Sequence, residues 1–237
     1  MPNHVKNKIE FQCDDEVMKS IFEKYNTHYN ETPKRAYDES IVCHSKDDKN
    51  KIGWYDEITN IFITRDKDEE RFGMPEDYEY IINDTWDHFP DFDKVIPQPE
   101  NIFRGNLSTD DEERCASEGI PTWYDWNREN WGTKWNSYSL KKINENVFTF
   151  DTAWNSVPKI ITRMSKDFPD VRIVYTYADE DTGYNCGKLI FQDGEIVSYK
   201  PTGGSKEAYE LAFELRPECK DDYILVDGDY KYKEEEE

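Results

Sequence analysis

The sequence concentrates aromatic side chains in one short block, WYDWNRENWGTKW, at residues 123–135. Rings of this kind can line a pocket for a flat ligand or a nucleic-acid base. In the alternative interpretation the rings fill the core and Lys134 pairs with Asp151, because a chain with few aliphatic residues needs large apolar surfaces in order to fold. The ligand-pocket candidates are Trp123, Tyr124, Trp126, Trp131, Lys134, Trp135 and Asp151.

Carboxylates are the second group of residues that could bind a ligand or a partner. Hard oxygen ligands can hold Mg²⁺ or Ca²⁺, but the acidic runs lack the Asp-x-Asp-x-Asp-Gly spacing of a calcium loop. We therefore expect no metal site and interpret the runs as a solvated acidic face. The candidates for that face are Asp66, Asp68, Glu69, Glu70, Asp84, Asp87, Asp91, Asp110, Asp111 and Glu112.

Other motifs point to no particular reaction. The stretch from Gly183 to Leu189 is one residue short of a phosphate-binding loop and carries leucine where a serine or threonine would bind Mg²⁺. The sequence contains neither a G-x-S-x-G nor an H-E-x-x-H pattern. We expect no catalytic residues and no cofactor, although an uncharacterised enzyme remains a third hypothesis.

Composition narrows the class of protein. The chain of 237 residues has 30 Lys and Arg against 52 Asp and Glu, a formal net charge of −22, and 15% aromatic residues. So many large rings favour a folded protein with an aromatic core, and the acidic balance argues against binding to duplex nucleic acid, which needs a basic face. No stretch approaches the ~20 apolar residues of a membrane span. Five widely spaced cysteines without a CxxC pair, and an N-terminus without an apolar run, predict reduced thiols and a cytoplasmic protein.

The elements that would position these residues follow from hydrophobic periodicity and from end signals. The predicted strands are 5–11, 58–64, a short one within 92–100, 147–154, 171–177, a hairpin over 188–199 that turns at Asp193-Gly194, and 223–226. The predicted helices are 15–25, 76–86, 108–116 ended by Gly119, the Trp-rich segment opened by Pro121, one started by Ser156 with Pro158, and one capped by Ser205.

This order predicts an α+β fold of the ferredoxin-like, split βαβ kind. Its sheet would be antiparallel with the helices on one face, followed by a C-terminal β-hairpin plus helix. We expect a single domain over 1–232, with a large insertion at about 27–90 after the first helix. The acidic tail at 233–237 has no residue that could join a core.

Several segments together resemble one known family. They are MPNHVKNKIEF at the start, DKVIPQPE, the block WYDWNRENWGTKW, FDTAW at 150–154, the Asp167-Phe168-Pro169 end of a helix, and GKLIFQDGEI. In this order they are similar to the YubB-like family of ferredoxin-like proteins, which phages, plasmids and bacterial genomes carry. The resemblance covers roughly residues 1–26 and 88–200, and its specific part is the Trp-rich block. It implies a ferredoxin-like fold and a mobile-element origin, but no activity, because the family has no established one.

The function hypotheses rest on the charge and on the Trp-rich block. The first is a non-enzymatic accessory protein of a phage or other mobile element, which binds a basic, nucleic-acid-handling host protein through its acidic surface. The alternative is a small-molecule or nucleotide-binding module that uses the Trp-rich block as its pocket. Neither hypothesis involves a membrane or duplex nucleic acid, and both place the protein in the cytoplasm of a bacterial host.

Overall fold

The computed structural model describes residues 3–31, 41–48, 50–56, 59–64, 70–80 and 84–233. The chain divides into two compact units. Unit 1 comprises Met1–Thr27 with His88–Glu237, and unit 2 comprises His28–Asp87. The boundaries of unit 2 fall within the stretch predicted as an insertion. The organisation as one domain with a tail stays a prediction.

The described elements are as follows. The helices are α1 (Asp15–Tyr25), α2 (Phe92–Val95), α3 (Thr109–Glu118), α4 (Trp123–Asn130), α5 (Pro158–Asp167) and α6 (Lys206–Leu215), with a 3₁₀ helix over Pro217–Asp222. The first eight strands are β1 (His4–Gln12), β2 (Thr27–Glu31), β3 (Ile41–Ser45), β4 (Ile52–Asp56), β5 (Ile61–Thr64), β6 (Glu70–Phe72), β7 (Tyr78–Tyr80) and β8 (Asp84–His88). The others are β9 (Tyr138–Asn144), β10 (Val147–Ala153), β11 (Arg172–Ala178), β12 (Cys186–Gln192), β13 (Glu195–Tyr199), β14 (Tyr223–Val226) and β15 (Asp229–Tyr232).

Unit 1 is built on a six-stranded sheet in the order β13-β12-β11-β1-β10-β9. Every neighbouring pair in it is antiparallel, so the predicted α+β class with an antiparallel sheet is confirmed. Side chains of β1 alternate between buried and half-buried positions, because successive residues of a strand point to opposite faces. The buried positions are Val5, Asn7, Ile9 and Phe11.

Helices lie on both faces of this sheet. Buried residues of α1 and α5 share one core cluster with the buried side of β1. Helix α6 packs instead on Ala178 and Cys186, which the strand register places in the same cross-strand row as Lys6. Directly opposed residues share a face, and Lys6 points away from its buried neighbour Val5. The sheet therefore has α1 and α5 on one side and α6 on the other.

The core contains one buried polar network. The side chain of Asn7 is fully buried, and its amide nitrogen donates to Thr152 Oγ1 at 3.0 Å. The hydroxyl of Tyr175 donates to Asn7 Oδ1 and accepts a hydrogen bond from the backbone nitrogen of Val157. Burial raises the pKa of Tyr175, so the hydroxyl stays protonated. The network links the three central strands to the start of α5.

Some predicted boundaries in unit 1 need correction. The short strand predicted within 92–100 is the helix α2, which Asp91 caps. The sheet strand that lies next to β10 is β9, which the sequence analysis missed because most of its residues are exposed and show no clear alternation. Ser156 does not cap α5, whose N-cap is Val157. Asp193 and Gly194 both have positive φ, as the predicted hairpin turn requires.

Unit 2 contains a five-stranded antiparallel sheet in the order β6-β5-β4-β3-β7, and β2 pairs with β8 in a separate two-stranded sheet. The predicted helix over 76–86 is wrong, because this stretch carries β7 and the start of β8. Tyr78 is buried, and its ring lies 4.6 Å from that of Phe62. A Cβ atom at Gly53 would lie 2.3 Å from Phe62 Cζ, so Gly53 leaves the space that the Phe62 ring occupies.

The end of unit 1 is a β-hairpin of β14 and β15 on the outer side of α6. Rings of Tyr209 and Phe213 from α6 contact the rings of Tyr223 and Tyr230 from the hairpin. Lys233, assigned to the acidic tail, donates its backbone nitrogen to Asp222 at 2.8 Å. The other tail residues, 234–237, lie outside the described part of the chain.

Asp167 links α1 to α5. Its carboxylate accepts hydrogen bonds from Lys24 Nζ and the Tyr25 hydroxyl, both at 2.7 Å, and lies 3.3 Å from Arg163 Nε. Burial by itself favours a higher pKa, but the bonds from Lys24 and Tyr25 and the nearby positive charges outweigh it. The pKa of Asp167 is therefore below its ordinary value.

We expect Asp167→Asn to lower the free energy of unfolding by roughly 1–3 kcal/mol at neutral pH, because hydrogen bonds to a charged group are lost. With the pKa lower in the folded state, the carboxylate stabilises fully above its unfolded pKa of about 4. This contribution is lost as the pH falls through the folded pKa. Thermal unfolding across a pH series should show the largest difference between the variant and the parent at pH 7 and a shrinking one in acid. The control is Asp170→Asn at an exposed neighbour; a difference for Asp167→Asn that does not change with pH would contradict the assignment.

Candidate functional site

Helices α3 and α4 carry six of the candidate residues, and a side-chain cap at the N-terminus stabilises each helix. Ser108 Oγ accepts from the backbone nitrogen of Asp111, and Gly119 ends α3 with a positive φ of 67°. Thr122 caps α4 in the same way, because its hydroxyl accepts from the backbone nitrogen of Asp125. Free N–H groups at a helix start need such acceptors. A short connection, residues 119–122, thus joins the end of α3 to the start of α4.

The Trp-rich block divides into a core part and a surface part. Trp131 is only 3% exposed, and its Nε1 donates to the carbonyl of Ile96 at 2.9 Å. The ring meets those of Phe92 and Trp126 edge-on. Trp131 and the partly buried Trp126 are therefore packing residues. Trp123 is half-buried and donates its Nε1 to the carbonyl of Gly105.

The surface part is an aromatic cluster around Lys134. The ammonium group lies 4.7 Å from the ring centroid of Trp135, 5.3 Å from that of Trp154 and 5.7 Å from that of Tyr124. Such cation–π contacts are attractive. Trp154 adopts a φ of 71°, which is unusual for a bulky residue. Because Lys134 itself lies against all three rings, this cluster is a packed feature and not an open pocket.

Asp151 does not belong to this block, and it does not pair with Lys134. Its carboxylate lies 2.7 Å from Lys6 Nζ, directly across the β1–β10 pair in which the two residues are opposite each other. The sheet register determines this partner, and the sequence pattern alone could not reveal the register. Asp151 is therefore removed from the ligand-pocket candidates.

A groove between α3 and α4 brings one acidic-face candidate, Glu112, together with two ligand-pocket candidates, Tyr124 and Trp126. Its volume is about 470 Å³. The walls are largely apolar, and three carboxylate side chains line the groove with them. The lining residues are Glu112, Ala116, Ile120, Pro121, Thr122, Tyr124, Asp125, Trp126 and Glu129.

The carboxylates of the groove differ in how they are bonded. Asp125 accepts a hydrogen bond from the hydroxyl of Thr122 at 3.0 Å. Within the described part of the chain, the exposed carboxylates of Glu112 and Glu129 show neither an ion pair nor a hydrogen bond. Lys159 lies nearby but donates to the backbone carbonyl of Glu129. The groove thus offers two carboxylates that are free to meet a cation.

The other candidates for the acidic face belong partly to unit 1 and partly to unit 2. On α3, Asp110 is exposed and Asp111 is half-exposed. Hydrogen bonds from Ser108 and then Arg114 lower the pKa of Asp111. In unit 2, Glu70 is exposed on β6, and Asp87 lies 3.0 Å from His28 Nδ1. The candidates Asp66, Asp68 and Glu69 and the side chain of Asp84 lie outside the described residues.

Asp91 was wrongly assigned to the acidic face. It is 5% exposed, and its carboxylate accepts hydrogen bonds from the Thr27 hydroxyl, from Asn136 Nδ2 at 2.7 Å and from the backbone nitrogen of Asp93. A buried polar group has to be satisfied in this way. Asp91 is a helix cap that also holds the end of the first helix against the loop before β9.

Two further findings concern metal sites and membrane-spanning helices. Among the residues that the structure describes, no group of three or more His, Cys, Asp or Glu side chains is placed to hold a metal ion. None of the described helices is long and apolar enough to cross a membrane.

Comparison with known proteins adds one family match. Residues 130–216 match the family described as the ferredoxin-like domain in Api92-like protein. The matched stretch runs from the end of α4 through α6 and covers less than half of the chain. The predicted ferredoxin-like character is thereby confirmed; the YubB-like name and the mobile-element origin remain predictions.

Structural comparison finds a crystal structure of a protein api92 from Yersinia pseudotuberculosis. It is 17% identical, over 35% of this chain and 32% of that chain, with a TM-score of 0.29. The match spans about a third of the length of that protein. No curated protein matches the chain.

Sequence analysis missed two residues that shape the site. Trp154 was assigned to a strand, although it follows the end of β10 and closes the ring cluster around Lys134. Glu129 lies within the Trp-rich block but was not selected, because a lone glutamate among aromatic residues carries no motif. Its spacing from Asp125, one helical turn, was the available signal.

We expect Trp131→Ala to lower the free energy of unfolding by about 3 kcal/mol or more, as is usual when a buried aromatic site is emptied. The matched control is Trp135→Ala, since this residue is 38% exposed and its loss should cost about 1 kcal/mol or less. Denaturant unfolding of both variants measures the two values. Equal stability of Trp131→Ala and the parent would contradict the packing role.

Proposed function

We propose that this chain is a non-enzymatic binding protein that receives a basic, partly apolar segment of a partner protein in the groove between α3 and α4. The observation that carries the proposal is the combination of apolar walls with the two uncompensated carboxylates of Glu112 and Glu129. Apolar contact would provide affinity, and the carboxylates would select lysine or arginine side chains.

The overall charge supports a basic partner. With a net charge of −22, the protein attracts cationic molecules over a distance and repels phosphate backbones. Such attraction raises the association rate and weakens as salt screens it. A basic protein that handles nucleic acid meets this description, because its own binding surface complements negative charge.

The cellular setting of the proposal extends the sequence resemblance. A YubB-like protein of a phage or other mobile element would act as an accessory factor in the cytoplasm of its bacterial host. It would occupy the nucleic-acid-binding surface of a host protein by presenting carboxylates in place of phosphates. The predicted gathering of acids on one face belongs to this proposal.

We also infer that the sheet contains a split βαβ unit. Its strands in chain order would be β1, β9, β10 and β11, with α1 after the first strand and α5 after the third. The observed neighbours β11-β1-β10-β9 support this assignment. The β12–β13 hairpin and α6 would then be additions to the unit.

The alternative, a small-molecule pocket in the Trp-rich block, has less support. Trp131 is packed in the core, and the ammonium group of Lys134 lies against the rings of Tyr124, Trp135 and Trp154. A ligand would have to displace that side chain. The groove requires no such displacement.

The test uses fluorescence anisotropy with a labelled peptide of arginine and leucine residues. We expect the double variant Glu112→Gln/Glu129→Gln to bind this peptide about tenfold more weakly, because two charge-assisted contacts are lost. Raising the salt concentration should weaken binding to the parent protein more than to the variant.

The matched control is Glu207→Gln/Glu210→Gln on α6, which changes the net charge equally on the other side of the sheet. Equal weakening by both double variants would mean that the whole charge and not the groove binds the peptide. Tight binding of bare DNA at physiological salt would contradict the proposal outright.

A further inference from the structure

The strand β13 forms one edge of the six-stranded sheet, and no strand of the described residues pairs with its outer side. It stands at one end of the sheet order, and all five of its residues are exposed. Three of the five are large and apolar: Ile196 is 46% exposed, Val197 70% and Tyr199 51%. Natural proteins usually protect such edges with charges, prolines or a covering segment, and within the strand only Glu195 is charged.

The contacts at both ends of β12 determine which residues of β13 hydrogen-bond to β12. The two-residue turn at Asp193-Gly194 makes Gln192 and Glu195 a hydrogen-bonded pair. At the other end, the backbone nitrogen of Asp179 donates to the carbonyl of Asn185. The alternation of hydrogen-bonded and non-hydrogen-bonded pairs along antiparallel strands then gives the same assignment. Glu195, Val197 and Tyr199 therefore bond to β12. The N–H and C=O groups of Ile196 and Ser198 point away from the sheet.

These outward groups are self-complementary. When two copies of β13 pair antiparallel about a two-fold axis at Val197, Ile196 of each copy comes opposite Ser198 of the other. The four outward N–H groups and the four outward C=O groups of the two strands then form four hydrogen bonds. Val197 faces its own copy in the closer, non-hydrogen-bonded type of pair.

Charge complementarity supports the same register. The turn end of β13 is acidic, with Asp193 and Glu195, and the other end is followed by Lys200. Antiparallel pairing brings Lys200 of one copy opposite Gly194 of the other, beside both acids. No two like charges come directly opposite each other, so the register carries no pairwise repulsion.

We propose that β13 is a dimerisation edge, at which two copies of this chain join their sheets into one continuous twelve-stranded sheet. The occupant of the edge is a second copy. In a two-fold arrangement the outward backbone groups, the apolar residues and the end charges of β13 each meet a complementary partner on the other β13. A five-residue strand buries less area than a standard interface, so the dimer forms reversibly as protein concentration rises. The net charge of −22 on each copy opposes it, so added salt strengthens it.

The test measures molar mass by analytical ultracentrifugation over a range of protein concentrations at low and high salt. We expect a monomer–dimer equilibrium that shifts towards dimer as salt rises, the opposite of the salt effect on the groove. The variant Ser198→Pro removes an outward N–H and should weaken self-association roughly tenfold or more. Val197→Lys should also weaken self-association, because the positive charges introduced on the two copies would face each other. The control Val197→Thr should leave self-association largely unchanged.

Hydrogen exchange provides a readout within the parent protein. The amides of Val197 and Tyr199 should be protected at every concentration, and those of Ile196 and Ser198 should gain protection only as dimer forms. A monomer at all concentrations and both salt levels would overturn the proposal. So would a dimer that neither Ser198→Pro nor Val197→Lys weakens. Because Val197→Lys leaves the backbone donors in place, it keeps the test valid if the proline variant fails to fold.

Discussion

The register of β1 between β10 and β11 is the constraint on which the rest of unit 1 depends. A shift of one residue would turn the whole apolar side of β1 towards the wrong face. Asn7 fixes the register, because its buried amide meets Thr152 on one neighbour and Tyr175 on the other. In this register the buried polar groups of all three residues are hydrogen-bonded, and an unpaired polar atom in the core would be costly. One hydrogen-bonded asparagine thus places α1 and α5 on one face and leaves the other face for α6.

Local signals in the sequence predicted the elements of unit 1 well where one side of an element is buried. The alternation from Val5 to Phe11, the acidic residues at the start of α1 and the Asp193-Gly194 turn all act over a few residues. The exposed strand β9 has no such one-sided burial, and the strands β6 and β7 of unit 2 are only three residues long, too short to show a period. The helix predicted at 76–86 had suitable spacing, but Tyr78 is buried by pairing and ring contact within a sheet, a long-range effect that periodicity does not contain.

The site was predictable in composition but not in arrangement. Tryptophan enrichment marked 123–135 as either a pocket or a packed block, and charge alone assigned the acids of α3 to the surface. That Glu112 lies in one groove with Tyr124 and Trp126 depends on how two capped helices come together. The partner of Asp151 likewise depends on a cross-strand register. Lys6 and Lys8 are neutralised by Asp151 and Glu214, so these scarce cations are engaged in holding the sheet and α6 together and do not offset the acids elsewhere.

The hydrogen bond between Thr27 and Asp91 has a consequence for the history of the chain. It joins the last residue of unit 1 before unit 2 to a residue just after the chain returns, and Asp91 also donates its backbone nitrogen to Tyr25. Hydrogen bonds within unit 1 therefore join the two points at which the chain leaves and re-enters it, and these bonds do not depend on the sequence of unit 2. Such a junction is a place where recombination can insert, exchange or delete a segment without breaking the contacts that hold unit 1 together.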